Sequence, residues 1–124
     1  SEMCIETGTT LCVSDFDKSL RFYRDLIGLP VAECSSHGGA SIAMLGPEDG
    51  PKIELLYEAD APLQGQGDGI SLGFEVGDLS YATKKMADHG YPLRRGPISP
   101  HPHIRFSFFS DPDGYEVQLV ENLN

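Results

Sequence analysis

Arg105-Phe106-Ser107-Phe108-Phe109-Ser110-Asp111-Pro112-Asp113-Gly114-Tyr115-Glu116-Val117-Gln118-Leu119-Val120 is the stretch that decides the fold. Aromatic and β-branched runs flank Asp-Pro-Asp-Gly, where proline presets one turn dihedral and glycine accepts a positive φ; the pattern is that of a β-hairpin. A weaker copy precedes it: Ile42 to Leu45, a Gly46 to Pro51 turn containing Asp49-Gly50, and the run Lys52 to Tyr57.

The copy extends outward from the hairpins. Thr7 to Val13 reads as a short strand, and Ser14-Asp15 can cap a helix whose inward stripe is Phe16, Leu20, Tyr23 and Ile27, widened by Leu26 and closed at Gly28. Leu29 to Ser35, Ala40 to Leu45 and Lys52 to Glu58 follow as strands, with a turn at His37-Gly38-Gly39. Ile70 to Val76 then alternates as a half-buried strand, and Gly77-Asp78 caps a helix with Leu79, Ala82, Met86 and Ala87 inward, closed by Gly90. Val13-Ser14-Asp15-Phe16 aligns on Val76-Gly77-Asp78-Leu79 at an offset of 63, and Ile53-Glu54-Leu55 on Val117-Gln118-Leu119 at 64. Such agreement predicts an α+β fold of two βαβββ modules related by a pseudo-twofold axis: module one over about 5–58, a Gly-, Pro- and Gln-rich linker over about 59–68, and module two over about 69–124.

Composition narrows the function. A chain of 124 residues suits one compact domain. Cys4, Cys12 and Cys34 cannot all pair and show no C-x-x-C spacing, which points to a reducing, cytoplasmic setting. There is neither an apolar run of membrane-spanning length nor a secretory leader pattern. Nineteen acidic against nine basic residues give a net charge of −10, which repels phosphate backbones and anionic lipid, so neither nucleic acid nor membrane is expected as a partner.

The two modules, Phe22-Tyr23-Arg24-Asp25-Leu26-Ile27-Gly28-Leu29 and the terminal Asp111 to Leu119 together resemble the vicinal oxygen chelate superfamily, which includes glyoxalase I, extradiol dioxygenases and bleomycin-resistance proteins. The resemblance covers essentially the whole chain. It implies a mixed sheet curled around a cavity, a homodimer, and a small-molecule ligand or substrate. In the metalloenzymes of that group, ligands come from the first and last strand of each module, typically His or Gln and then Glu. The matching positions here are Gly8, Glu54, Ser71 and Gln118. Glycine donates nothing, serine is a poor ligand and glutamine offers a neutral carbonyl, so Glu54 is left as the one strong oxygen donor and no metal cofactor is expected. His101-Pro102-His103 would place two imidazoles on one face if the segment were extended, a pair that could hold a metal if a third ligand arrived; the alternative is a loop with exposed histidines.

Strand alternation supplies an inward set. Glu54 brings Lys52, Leu56 and Glu58; Ser71 brings Gly73 and Glu75; Gln118 brings Glu116 and Val120; Gly8 brings Thr10 and Cys12. In the strand before Asp111, the apolar set Ile104, Phe106 and Phe108 reads as core, which turns Arg105, Ser107 and His103 inward. Arg105 could then grip a ligand anion or pair with Glu54 or Glu116. The ligand-binding candidates are therefore Glu54, Ser71, His103, Arg105, Ser107 and Gln118. Two functions fit. One is a metal-independent protein that binds or sequesters a small molecule, with Glu54, Glu58 and Glu75 suited to a cationic or amphipathic guest. The other is a glyoxalase-like lyase or isomerase acting on a carbonyl or thiol-conjugate substrate, with Glu54 as the candidate base.

Overall fold

The computed structural model describes residues 8–60 and 69–123. The chain divides into two compact units, Ser1–Gln64 and Gly65–Asn124. Of the expected linker, only Ala59 and Asp60 fall among the described residues, and Cys4 and the start of module one lie outside them.

The first unit contains β1 (Gly8–Cys12), α1 (Phe16–Arg21), β2 (Val31–His37), β3 (Ala40–Leu45) and β4 (Lys52–Glu58). Its sheet has the order β1-β4-β3-β2, with β1 parallel to β4 and the other pairs antiparallel. The second unit repeats the plan with β5 (Ser71–Glu75), α2 (Leu79–Asp88), β6 (Arg95–Ile98), β7 (Ile104–Ser110) and β8 (Glu116–Asn122), in the order β5-β8-β7-β6. Each unit is thus a four-stranded mixed sheet with a helix, as an α+β pair of βαβββ modules requires.

Local chemistry sets the helix ends. The Asp15 carboxylate accepts the Lys18 N–H at 3.1 Å and Asp78 accepts the Tyr81 N–H at 3.0 Å, each satisfying a donor that the first turn leaves without an intrahelical partner. Beyond Arg21 the first helix widens into a π-helical turn over Phe22–Leu26, and Ile27 N–H reaches back five residues to Phe22 O at 3.0 Å. That widening departs from the regular stripe expected from the sequence: consecutive Phe22 and Tyr23 are both buried, with rings edge to face at 4.9 Å. In α2, Leu79 and Met86 are buried, but Ala87 is exposed, because a stripe through 79, 82 and 86 turns position 87 outward.

The core of the first unit lies on the face of its sheet that carries Leu11, Ala43, Leu45, Ile53 and Leu55. In the second unit, Val117 and Leu119 are buried on the corresponding face, paired with Phe109 and Ser107 of β7. This pairing corrects the expected facing of β7. Phe108 lies opposite Gln118 and Phe106 opposite Val120, whereas Arg105 lies opposite Glu121. Counting aromatics favoured the pair Phe106 and Phe108 as core. The fixed alternation of β8 instead selects the face of Phe109, with Arg105 and Ser107 on the helix side.

The hairpin turn is built on a buried carboxylate. Asp111 Oδ1 accepts from Asp113 N–H and Tyr115 N–H, both at 2.9 Å, while Gly114 adopts φ +91° and donates to Asp111 O at 3.0 Å. Its counterpart in the first unit uses a different device. Lys52, only 7% exposed, folds its ammonium onto Glu48 O and Gly50 O at 3.2 and 3.3 Å.

Candidate functional site

Each sheet has one face turned away from its helix, and three of the candidate residues, Glu54, Ser71 and Gln118, lie on those faces. In the first unit the register places Thr10, Glu54 and Met44 side by side across β1, β4 and β3, with Cys12, Leu56 and Ile42 as the next row. The Thr10 hydroxyl donates to Glu54 Oε1 at 2.7 Å. Gly8, beside Lys52, leaves that end of the row without a side chain, and a Cβ built there would lie 2.3 Å from Lys52 O.

In the second unit the open face carries Ser71 opposite Glu116, and Gly73 opposite Gln118, which in turn faces Phe108. A cavity of about 450 Å³ opens here, lined by Ser71, Glu116, Phe108, Arg94, Arg95 and the Gly69-Ile70 segment. The Arg95 guanidinium lies over the Phe108 ring, 4.0 Å from its centroid, and its Nη2 is 3.8 Å from Glu116 Oε1. Arg94 Nη1 donates to the Ser110 hydroxyl. Neither arginine stood out in the sequence. The available signal was their adjacency in a chain holding nine cationic side chains in all.

Ser71 and Gln118 therefore share one face, and Glu54 occupies the matching face of the other unit. Arg105 and Ser107 do not join them. They line a smaller cavity of about 240 Å³ on the helix side with Leu79 and Thr83. Arg105 Nη2 donates to Glu121 Oε1 at 2.8 Å, so of the two roles open to it, the ion pair is present, with a partner other than Glu54 or Glu116. The same Glu121 oxygen accepts Leu79 N–H at 3.2 Å at the start of α2. His103 lies outside β7 in a turn: its N–H donates to His101 Nδ1 at 3.2 Å, its own Nδ1 donates to Leu123 O at 3.3 Å, and the two rings are 6.0 Å apart. Prolines at 100 and 102 interrupt the extended strand that a shared face needs. Among the described residues no three His, Cys, Asp or Glu side chains gather in a metal-binding group. Of the acidic inward set, Glu75 accepts from Asn122 Nδ2 at 2.7 Å, and Glu58 is exposed.

The Glu121 pair gives a pH dependence. The Arg105 hydrogen bond, helped by the Leu79 N–H, holds the Glu121 carboxyl below its usual range. A carboxylate depressed in the folded state adds stability above its unfolded pKa, and that contribution disappears as pH falls through the folded value. Thermal melts of wild type and Glu121→Gln are expected to differ most near neutral pH and to converge in acid. A gap that is constant with pH would contradict the pairing.

Comparison with known proteins agrees with this architecture. The Glyoxalase/Bleomycin resistance protein/Dioxygenase superfamily model matches residues 7–119, and the chain belongs to that superfamily. A lactoylglutathione lyase of Haemophilus influenzae is 32% identical over 124 residues, covering 92% of this chain and 90% of that protein. A glyoxalase family protein from Bacillus cereus superposes with a TM-score of 0.81 at 19% identity, over 99% of this chain and 97% of the other. An antibiotic binding protein from a Streptomyces species shares the fold at a TM-score of 0.65 and 21% identity, over 98% and 99% of the two chains. Among the described residues no helix is long and apolar enough to cross a membrane.

Proposed function

We propose that this protein binds a small organic molecule on its open sheet faces and does so without a divalent metal. The donor set carries the reading. Of Gly8, Glu54, Ser71 and Gln118, one is a carboxylate, and an oxygen of it already accepts the Thr10 hydroxyl at 2.7 Å. A transition-metal site of catalytic type needs about three good ligands and an open position; these residues do not fit one. The polar and apolar surface of the second-unit cavity, about 450 Å³, supports a ligand of modest size. A homodimer belongs to the same proposal and is tested by sedimentation.

Purified protein is expected to hold substoichiometric Ni, Zn, Mn or Fe per chain by elemental analysis. Stoichiometric metal that disappears in Glu54→Ala would reverse the reading. A titration panel of small organic ions and thiol conjugates should contain at least one saturable binder, and silence across the panel at millimolar concentration would count against it.

The 32% identity to a lactoylglutathione lyase favours a second reading, a lyase or isomerase moving a proton beside a carbonyl. Glu54 is then the base, with no cation to hold the developing oxyanion. Turnover of a thiol hemithioacetal by wild type and not by Glu54→Gln would establish it.

A further inference from the structure

We infer that the second-unit cavity takes the anionic end of an organic ligand, its carboxylate held by Arg94 and Arg95 and its apolar body lying toward Ile70. The inference rests on the reading that this face binds a small molecule. It replaces the cationic guest that the chain's overall charge suggests.

Consecutive residues of a regular strand point to opposite faces, so two adjacent arginines should part company. Here they do not. Arg94 stands just ahead of β6, tied by its N–H to Phe108 O at 2.9 Å, and the β6–β7 register shifts between Arg95 and Ile98. Both arginines line the same cavity all the same. Against them stands one carboxylate, Glu116, whose pairing with Arg95 spans 3.8 Å between side chains 42% and 60% exposed. Such a pair is weak and readily exchanged for a ligand oxygen.

The donors are also arranged. The Arg95 guanidinium is held over the Phe108 ring, its carbon 4.0 Å from the centroid, and Ser110 anchors one nitrogen of Arg94. A guanidinium carries five donors, and a planar carboxylate matches two of them at once. Ser71 adds a hydroxyl at the same wall, and Ile70, 53% exposed, gives apolar surface beside it. Cationic guests find two like charges here and are disfavoured.

Benzoate, benzamide and benzamidinium share one ring and differ in charge, so they separate the charge requirement from simple occupancy. With isotopically labelled protein, benzoate is expected to give saturable shifts at Gly69, Ile70 and Ser71 in the millimolar range. Arg94→Gln combined with Arg95→Gln should weaken it roughly tenfold, the scale of one lost hydrogen bond to a charged group. Lys84→Gln, on exposed α2 surface, should leave it unchanged. Shifts from benzamide or benzamidinium at least as strong as those from benzoate, or unaltered benzoate binding in the double variant, overturn the anion inference while the face remains a binding face. Silence from all three probes overturns the inference and this face as the site together.

Discussion

Phe109→Ala is expected to lower stability by about 3–5 kcal/mol, the usual cost of emptying a buried aromatic site. Phe109 is fully buried, lies opposite Val117 and sits on the sheet face that also buries Leu119. Its neighbours are held by two strands and cannot collapse freely into the space. Phe106→Ala supplies the contrast. Phe106 lies on the open face opposite Val120 with its ring edge to face with Phe108 at 5.7 Å. Truncating it removes one ring contact and partly exposed area, so its effect should be clearly smaller. Urea unfolding followed by far-ultraviolet circular dichroism measures both. Equal losses, or a larger loss for Phe106→Ala, would mean that β7 faces the other way.

That comparison also marks where the sequence stopped being informative. The duplication was legible because cap, turn and strand signals recur at matching offsets, and each is local: Asp15 and Asp78 cap helices, Gly28 and Gly90 both close them at φ +93°, and Gly114 turns the hairpin. Strands β3 and β4 fall on the residues expected. The facing of β7 was not legible. Its residues alternate Arg, Ser, Phe against Ile, Phe, Phe, and the apolar set lost because pairing with Val117 and Leu119 decides which face is covered. The π-helical turn escaped for a related reason: burying Phe22 and Tyr23 together is a tertiary demand that no regular period encodes.

The open faces were more legible than the cavity. Glu54, Ser71 and Gln118 were implied by the family resemblance, and strand parity extended the set to their neighbours, since a two-residue period holds once the register is set. Arg94 and Arg95 were not, because Arg94 lies just ahead of β6, where alternation along the strand assigns no face. Of the two readings open for His101-Pro102-His103, the loop with exposed histidines is the one found, and it takes His103 away from the inward set. Arg105, foreseen as a choice between ligand and ion pair, makes an ion pair, but with Glu121, whose orientation depends on the start of α2 as well as on its own strand.

Gly8 is where strand geometry bears most directly on function. The metalloenzymes that this chain resembles usually place a histidine or glutamine at that position, so Gly8→His looks like a simple restoration. It is expected to fail. β1 runs parallel to β4 with Gly8 beside Lys52, and any Cβ at position 8 would stand 2.3 Å from Lys52 O and 3.2 Å from Lys52 C. Those atoms are backbone and cannot rotate aside as a side chain would. The strands must part or slip, and the adjoining Thr10–Glu54 pair moves with them. Gly8→Ala already carries that clash, so alanine and histidine should each cost about 1–3 kcal/mol, the range for overpacking. Nickel distinguishes a strained strand from a rebuilt site. A ligand that binds the folded state adds about 2.7 kcal/mol at a hundredfold excess over its Kd, so a working site would recover the loss. Nickel should leave the melting temperature of Gly8→His where it was. Wild-type stability in Gly8→Ala would show that β1 yields at no cost, and nickel-dependent stabilisation of Gly8→His would show that one side chain is all that separates this face from a metal centre.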